Sequence, residues 1–231
     1  MSATPQGDLP RSSKAHRVDR AARRPGRPKL TEPSPQHVQR LEEIVTTAAG
    51  VFRSKGYDAG TLEDVAAEMG LNKASLYHYV SSKAELLHRV FDRAITLALA
   101  RLDELGHLDD PKERLAALIS HQVRMIAEEP ELFIVFFDNR PRLDETYEAS
   151  IRAKEHRYLR IFAEAVSAAS AAGCIPAVDS RLGAQALLGM TTWTYKWFDP
   201  ARDNPELVAG TFIQLVLSQT AGTARPHTSK Q

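Results

Sequence analysis

The stretch that decides the fold is "TLEDVAAEMGLNKASLYHYVSSKAEL", residues 61–86. Thr61 precedes an apolar-periodic run and Asp64 stands three residues on, which predicts a helix N-terminus at Thr61. Gly70 stops that helix. Asn72 caps a second short helix that ends near Val80, and Ser82-x-x-Glu85 is a capping box opening a third, long one. On a wheel of about 3.6 residues per turn, Leu76 and Val80 fall together with Tyr79 flanking them, and this is the buried stripe. Lys73, Ala74, Ser75, Tyr77 and His78 take the remaining arc. A cation, hydroxyls and an imidazole there donate to phosphate oxygens and reach base edges, and Ala74 lets a backbone approach. Two short helices joined by a tight "MGLN" turn make a helix-turn-helix, whose second helix enters the major groove.

Outward from this stretch the pattern stays helical. Ser34-Pro35 is an N-cap with proline at the first helical position, and Val38, Leu41, Ile44, Val45, Ala48, Ala49 and Phe52 repeat at helical spacing until Gly56. Beyond the long helix, which runs to about Leu105, Asp110-Pro111 opens another, ending near Glu129. Pro130 opens a short apolar one, "ELFIVFF". Further helices cover about Asp144 to Ala172, Asp179 to Phe198 and Pro205 to Thr220. No alternating strand pattern and no internal repeat is present. The expected fold is all-α: an N-terminal helix-turn-helix three-helix bundle plus a larger C-terminal helical domain. The expected parts are a disordered basic arm (1–33), the helix-turn-helix domain (34–82), a ligand-binding and dimerisation domain (83–222) and a flexible tail (223–231).

Composition limits the function classes. The chain has 231 residues, 43% hydrophobic and 26% charged, with a single cysteine, Cys174. That excludes an internal disulfide framework and fits a reducing compartment. The longest apolar run falls far short of the ~20 residues a membrane span needs, so no membrane partner and a cytoplasmic location are expected. Net charge is only +1, but residues 1–35 hold eight Lys or Arg against three Asp or Glu, and the rest holds 22 against 26. A basic arm on an acidic body suggests a polyanionic partner for the arm. In "RRPGRPKL", Arg24, Arg27 and Lys29 flank a non-helical Pro-Gly-x-Pro unit, an extended shape that suits the minor groove of A·T-rich DNA.

The signature resembles the DNA-binding region of TetR-family transcriptional repressors, through Thr61, Leu62, Val65, Ala66, Gly70, Leu71, Ala74, Ser75, Leu76, Tyr77, Tyr79, Ser82, Lys83 and Leu86. Asn72 and Val80 depart from the usual Ser/Thr and Phe while keeping their roles. The resemblance implies that Thr61 holds a phosphate with its hydroxyl and amide. It implies that Asn72, Lys73, Ala74 and Ser75 face bases or adjacent phosphates. Tyr77, His78 and Tyr79 would clamp the backbone, and Lys83 would take another phosphate. It further implies a homodimer on a palindromic double-stranded operator, released by a hydrophobic small molecule, and no cofactor or metal.

For the ligand pocket the candidates are Met125, Phe133, Phe136, Phe137, Tyr158, Phe162, Met190, Trp193 and Trp197. The last three recur at helical spacing and would line one wall, with the "ELFIVFF" helix opposite. "TTWTYKWFDP" is similar to a segment of TetR-type repressors that respond to acyl-CoA thioesters, although Gly189 stands where some carry Arg. Arg140, Arg152, Arg157 and Lys196 are the cations to meet a CoA phosphate. The competing classes are a small all-α acyl-CoA-binding protein and an enzyme. Neither needs the recognition helix or the arm, and no Walker A, G-x-S-x-G, G-x-G-x-x-G or H-E-x-x-H motif occurs. The eight histidines are scattered; His121 and His156 could meet inside a bundle, but no spacing fixes that. The chain is therefore read as a regulator, not an enzyme.

Overall fold

Thr61 and Asp64 close a reciprocal cap: the Asp64 N–H donates to Thr61 Oγ1 (3.1 Å) and the Thr61 N–H donates to Asp64 Oδ2 (2.9 Å). That cap starts α2 (Leu62–Glu68). Gly70 adopts φ 63°, and the chain closes behind α2 with Gly70 N–H on Ala67 O (3.0 Å) and Leu71 N–H on Ala66 O (2.8 Å). This is a Schellman closure, which needs a left-handed residue where Gly70 stands. Asn72 then caps α3 (Lys73–Tyr77), its Oδ1 accepting from Ser75 N–H at 2.8 Å. The computed structural model describes residues 34–105 and 108–217.

The helix-turn-helix sits on α1 (Pro35–Lys55), which buries Ile44, Val45, Ala48, Ala49, Val51 and Phe52. Leu76 and Val80 enter the same core. The long α4 (Lys83–Leu105) connects this head to the rest. Its capping box is shifted by one residue: Ser82 Oγ accepts from Glu85 N–H (3.0 Å), but the Glu85 carboxylate takes the N–H and Oγ–H of Ser81 (2.8 and 2.6 Å). The body is built from α5 (Pro111–Glu128), α6 (Pro130–Asp138), α7 (Glu145–Ala171), α8 (Ser180–Thr192), α9 (Thr194–Trp197) and α10 (Pro205–Leu217), with a 3-10 turn at Arg140–Arg142. The described residues are all helix, turn and loop, with no strand.

One expected helix, Asp179 to Phe198, is broken at Trp193. Thr191 Oγ1 donates to Leu187 O (2.8 Å) and Thr194 Oγ1 to Thr191 O (2.6 Å). Hydroxyls that bond back to the helix carbonyls compete with its ladder and bend it. Beyond the interruption, α9 packs on α5 and α6. The last helix is described to Leu217, so its expected extension to Thr220 and the 223–231 tail lie outside the described residues, as does the 1–33 arm.

The hydrophobic core runs without a break from Ile44 of α1 to Leu217 of α10, across the boundary expected at residue 82. Phe91 of α4 meets Phe136 of α6 with ring centroids 5.0 Å apart. Polar ties reinforce the junction. Arg53 of α1 pairs with Glu131 of α6 (2.5 Å), and Arg142 of the 3-10 turn holds Asp58 of the α1–α2 turn through bonds of 2.6 and 3.0 Å.

Leu76→Ala empties a fully buried site and is expected to cost about 2–5 kcal/mol. Gly70→Ala meets no atom within 4 Å, so only the left-handed backbone resists it, at about 1–2 kcal/mol. Urea unfolding of both variants measures this. A larger loss for Gly70→Ala would show that the turn, rather than Leu76, anchors α3.

Candidate nucleic-acid interface and ligand cavity

Because Leu76 and Val80 point inward, α3 turns its other side to solvent. Asn72, Lys73, Ala74, Tyr77 and His78 are exposed and Ser75 is half-buried. Tyr77 keeps 45% of its surface accessible, so its ring and hydroxyl are presented on the same arc as Lys73. Lys73 Nζ pairs with Glu63 of α2 and lies 5.8 Å from the Tyr77 ring centre. The hydrogen bond to Glu63 raises the Lys73 pKa and the same bond lowers that of Glu63, so both stay charged. A phosphate arriving at Lys73 must therefore displace a carboxylate.

Three expected phosphate contacts are otherwise engaged. Both the N–H and the hydroxyl of Thr61 donate to Asp64 (2.9 and 2.8 Å), so a carboxylate already fills the place given to a phosphate. Asp64 is lowered to about 2, first by its hydrogen bond from Lys55 (2.6 Å) and then by Thr61. Lys83 Nζ donates to Asp58 O (3.0 Å) and covers the Tyr57 ring, which ties it to the α1–α2 turn. Tyr79 is half-buried and stacks on His37 of α1 at 4.7 Å. Asn72 spends its side-chain carbonyl on the helix cap, which leaves its amide protons to donate outward. Arg24, Arg27 and Lys29 lie outside the described residues.

In the body, a cavity of about 180 Å³ opens between α4, α5, α6, α7 and α8. Five residues expected at a pocket line it: Met125, Phe133, Phe136, Phe137 and Tyr158. Phe162 is fully buried behind Tyr158, rings 5.2 Å apart, and does not reach the cavity. Met190, Trp193 and Trp197 do not line it either. Met190 faces a separate open groove with Val178, Leu187 and Leu215, while Trp193 and Trp197 are 60% and 40% exposed. Their shared spacing is real, but bulk points to the wrong face. The buried face carries Ala184, Leu187, Thr191 and Thr194, whose threonine hydroxyls are satisfied by local carbonyls and so are cheap to bury.

The wall residues that were not anticipated include Gln122, Glu155 and Thr192. Gln122 was legible in principle: it sits in the apolar stripe Leu115, Leu118, Ile119, Ile126 of α5, where a polar side chain needs a reason. Tyr158 Oη donates to Gln122 Oε1, and Gln122 Nε2 donates to Thr192 Oγ1 at 3.0 Å. Burial pushes the Tyr158 hydroxyl pKa up, so it stays a donor. Glu155 is held by Arg140 through two bonds of 3.0 and 3.1 Å. The other candidate cations are on the surface: Arg152 pairs with Glu148 and Lys196 with Asp138 (2.7 Å), and Arg157 is exposed. His121 is buried with Nε2 against Ala98 O (3.0 Å) whereas His156 is exposed, so the two do not meet. Among the described residues no group of three or more His, Cys, Asp or Glu is placed to hold a metal, and no helix is long and apolar enough to cross a membrane.

An exposed recognition arc on a helix-turn-helix, mounted on an all-α body with an internal cavity, defines a DNA-binding regulator. Comparison with known proteins agrees. The family described as "Bacterial regulatory proteins, tetR family" matches residues 44–90, and "Tetracyclin repressor-like, C-terminal domain" matches residues 108–220. The chain belongs to the TetR family of transcriptional regulators. It is 26% identical to the HTH-type transcriptional repressor KstR2 of Mycolicibacterium smegmatis over 190 residues, 79% of this chain and 91% of that one. Among solved structures, AibR in complex with isovaleryl coenzyme A and operator DNA is 30% identical with TM-score 0.72, covering 77% of this chain and 98% of that one. PfmR from Thermus thermophilus, a TetR family regulator, is 28% identical with TM-score 0.72, covering 76% and 97%.

The Lys73–Glu63 pair gives a test of the recognition arc. Glu63→Gln frees Lys73 and removes a negative charge beside the DNA, so it should tighten DNA binding, whereas Lys73→Ala should weaken it and reduce the salt slope by about 1. Fluorescence anisotropy across a salt series measures both. Weaker binding by Glu63→Gln would mean the pair itself is needed to present the arc.

Proposed function

We propose that the protein is a repressor that binds a palindromic operator as a homodimer and is released by an acyl-CoA thioester held in the α4–α8 cavity. The observation that carries this reading is α6. It supplies Phe133, Phe136 and Phe137 to the cavity wall, and it also carries Glu131, bonded to Arg53 of the DNA-binding head. A ligand that wedges α6 outward disturbs the head through the same helix. AibR, whose structure holds isovaleryl coenzyme A and operator DNA together, supports both partner classes.

In this reading Lys73, Ser75, Tyr77 and His78 meet the operator directly, with Asn72 and Ala74 setting the approach to the groove. Thr61, Tyr79 and Lys83 hold the head in shape and join the phosphate contacts by exchanging their present partners. The arm residues Arg24, Arg27 and Lys29 add minor-groove charge, which the head needs: residues 36–100 hold seven basic against eight acidic side chains. For the dimer, the structure offers the outer face of α8 and α10. Leu182, Leu207 and Leu215 are more than half exposed there, and Trp193 stands at the end of α8. Apolar side chains left open on two neighbouring helices suit a second copy of the same face.

Two measurements test the proposal. Leu207→Glu with Leu215→Glu should yield a folded monomer by sedimentation with operator affinity lowered at least 10-fold; a dimer in that variant would move the interface elsewhere. Removing residues 1–30 should flatten the dependence of log K on log salt, by about 0.9 for each phosphate that the arm neutralises. An unchanged slope would show that the arm stays off the DNA.

A further inference from the structure

The cavity's polar pole is one-sided. Gln122 Oε1 is occupied by the Tyr158 hydroxyl, and one Nε2 proton goes to Thr192 Oγ1. An amide nitrogen carries two protons, and a hydroxyl that accepts still has its own to give. The second Gln122 N–H and the Thr192 O–H are donors on a wall that is otherwise mostly apolar, with Met125, Phe133, Phe136 and Phe137 prominent and the Glu155 carboxylate already engaged by Arg140. Donors beside an apolar chamber suit a ligand with one acceptor oxygen and a hydrocarbon remainder.

Charge narrows the choice. Glu155 is the single acidic or basic side chain among those lining the cavity, and Arg140 is already committed to it by two hydrogen bonds. A free carboxylate would enter beside a like charge with no cation lining the wall, which is costly in an apolar site. A neutral carbonyl carries no such penalty.

Size narrows it further. A cavity of about 180 Å³ is only slightly larger than the ~150 Å³ apolar chamber that accommodates one benzene molecule. It falls below the ~300–1,000 Å³ usual for drug-sized ligands. A hydrocarbon group of about six non-hydrogen atoms fills the part of it that the side chains enclose, and a fused-ring acyl group would have to project through its open side into water.

Resting on the acyl-thioester reading above, we propose that the effector carries a short acyl chain of roughly four to six carbons, bound as the neutral thioester with its carbonyl oxygen on Gln122 Nε2. Gln122 is the specificity-determining residue, and Tyr158 is a positioning residue that fixes which way the amide faces. Thr192 completes the pole from α8.

The test is calorimetric titration of the full chain with isovaleryl-, octanoyl- and cholyl-CoA, and separately with isovaleryl-N-acetylcysteamine and free isovalerate. Isovaleryl-CoA should bind at least 10-fold more tightly than either larger thioester. The uncharged isovaleryl thioester should bind at least 10-fold more tightly than isovalerate. Gln122→Leu should lower isovaleryl-CoA affinity about 3–10-fold, the scale of one net hydrogen bond, and Tyr158→Phe should give a smaller loss in the same direction. Because Gln122→Leu strands two polar groups, circular dichroism accompanies it, and the wild-type ligand series stands without it. Equal or tighter binding of octanoyl- or cholyl-CoA overturns the size limit while leaving the acyl-CoA reading intact. Isovalerate binding as tightly as its thioester overturns the neutral-carbonyl assignment. Failure of every thioester, with an uncharged non-acyl compound binding instead, overturns this inference and the acyl-CoA effector together, and leaves the ligand-responsive regulator standing.

Discussion

A single nine-residue helix, α6, has to satisfy two neighbours at once. Its phenyl rings form cavity wall, and its first turn is bonded to α1 through Glu131 and Arg53. Just beyond its end, Arg142 grips Asp58 in the turn that leads to α2. Close-packed interiors do not deform smoothly, so a helix pinned on both sides shifts as a unit or stays. Exposed ion pairs such as these are each worth only about 0–1 kcal/mol. In the proposed coupling their value is in direction: they would set which part of the head follows α6, while the apolar contact of Phe91 with Phe136 would supply the stiffness.

The DNA-binding face has to be read against its own ion pairs. Lys73, Lys83 and Lys55 are bound within the head to Glu63, Asp58 O and Asp64. Each can serve a phosphate only by leaving that partner. In the proposed operator complex such a head would gain little from charge alone and would depend on Tyr77, Ser75 and Ala74 fitting the groove. The head is nearly neutral, and the surplus of arginine and lysine lies in residues 1–35.

The head was almost fully legible in the sequence, because caps and turns are local chemistry. Thr61, Gly70 and Asn72 each do what their residue type dictates. The body was legible as helices but less so as a site. Spacing groups Met190, Trp193 and Trp197 on one face without saying which face is inside, and the interruption of the helix at Trp193 falls where the Thr191 and Thr194 hydroxyls bond back to helix carbonyls. Phe133, Phe136 and Phe137 could be placed at a wall because the "ELFIVFF" helix is apolar nearly all round. Gln122 stands out as a polar side chain in an apolar stripe, but its partners, and the place of Thr192, come from helices far apart in the chain and could not be read there. Thr61 shows the reverse limit: its resemblance to a phosphate contact is clear, and only coordinates reveal that Asp64 already holds both donors.

In the proposed mechanism cavity and operator are linked through α6, and thermodynamic reciprocity puts a number on that link. If α6 couples the two sites, isovaleryl-CoA and operator DNA must weaken each other by the same factor, about 5–150-fold for a coupling of about 1–3 kcal/mol. Calorimetric titration of isovaleryl-CoA into the free protein and into the preformed operator complex measures that factor from the ligand side. A dissociation constant raised by such a factor in the complex is the expected result. Identical constants with and without DNA would mean that the cavity and the recognition helix are energetically independent.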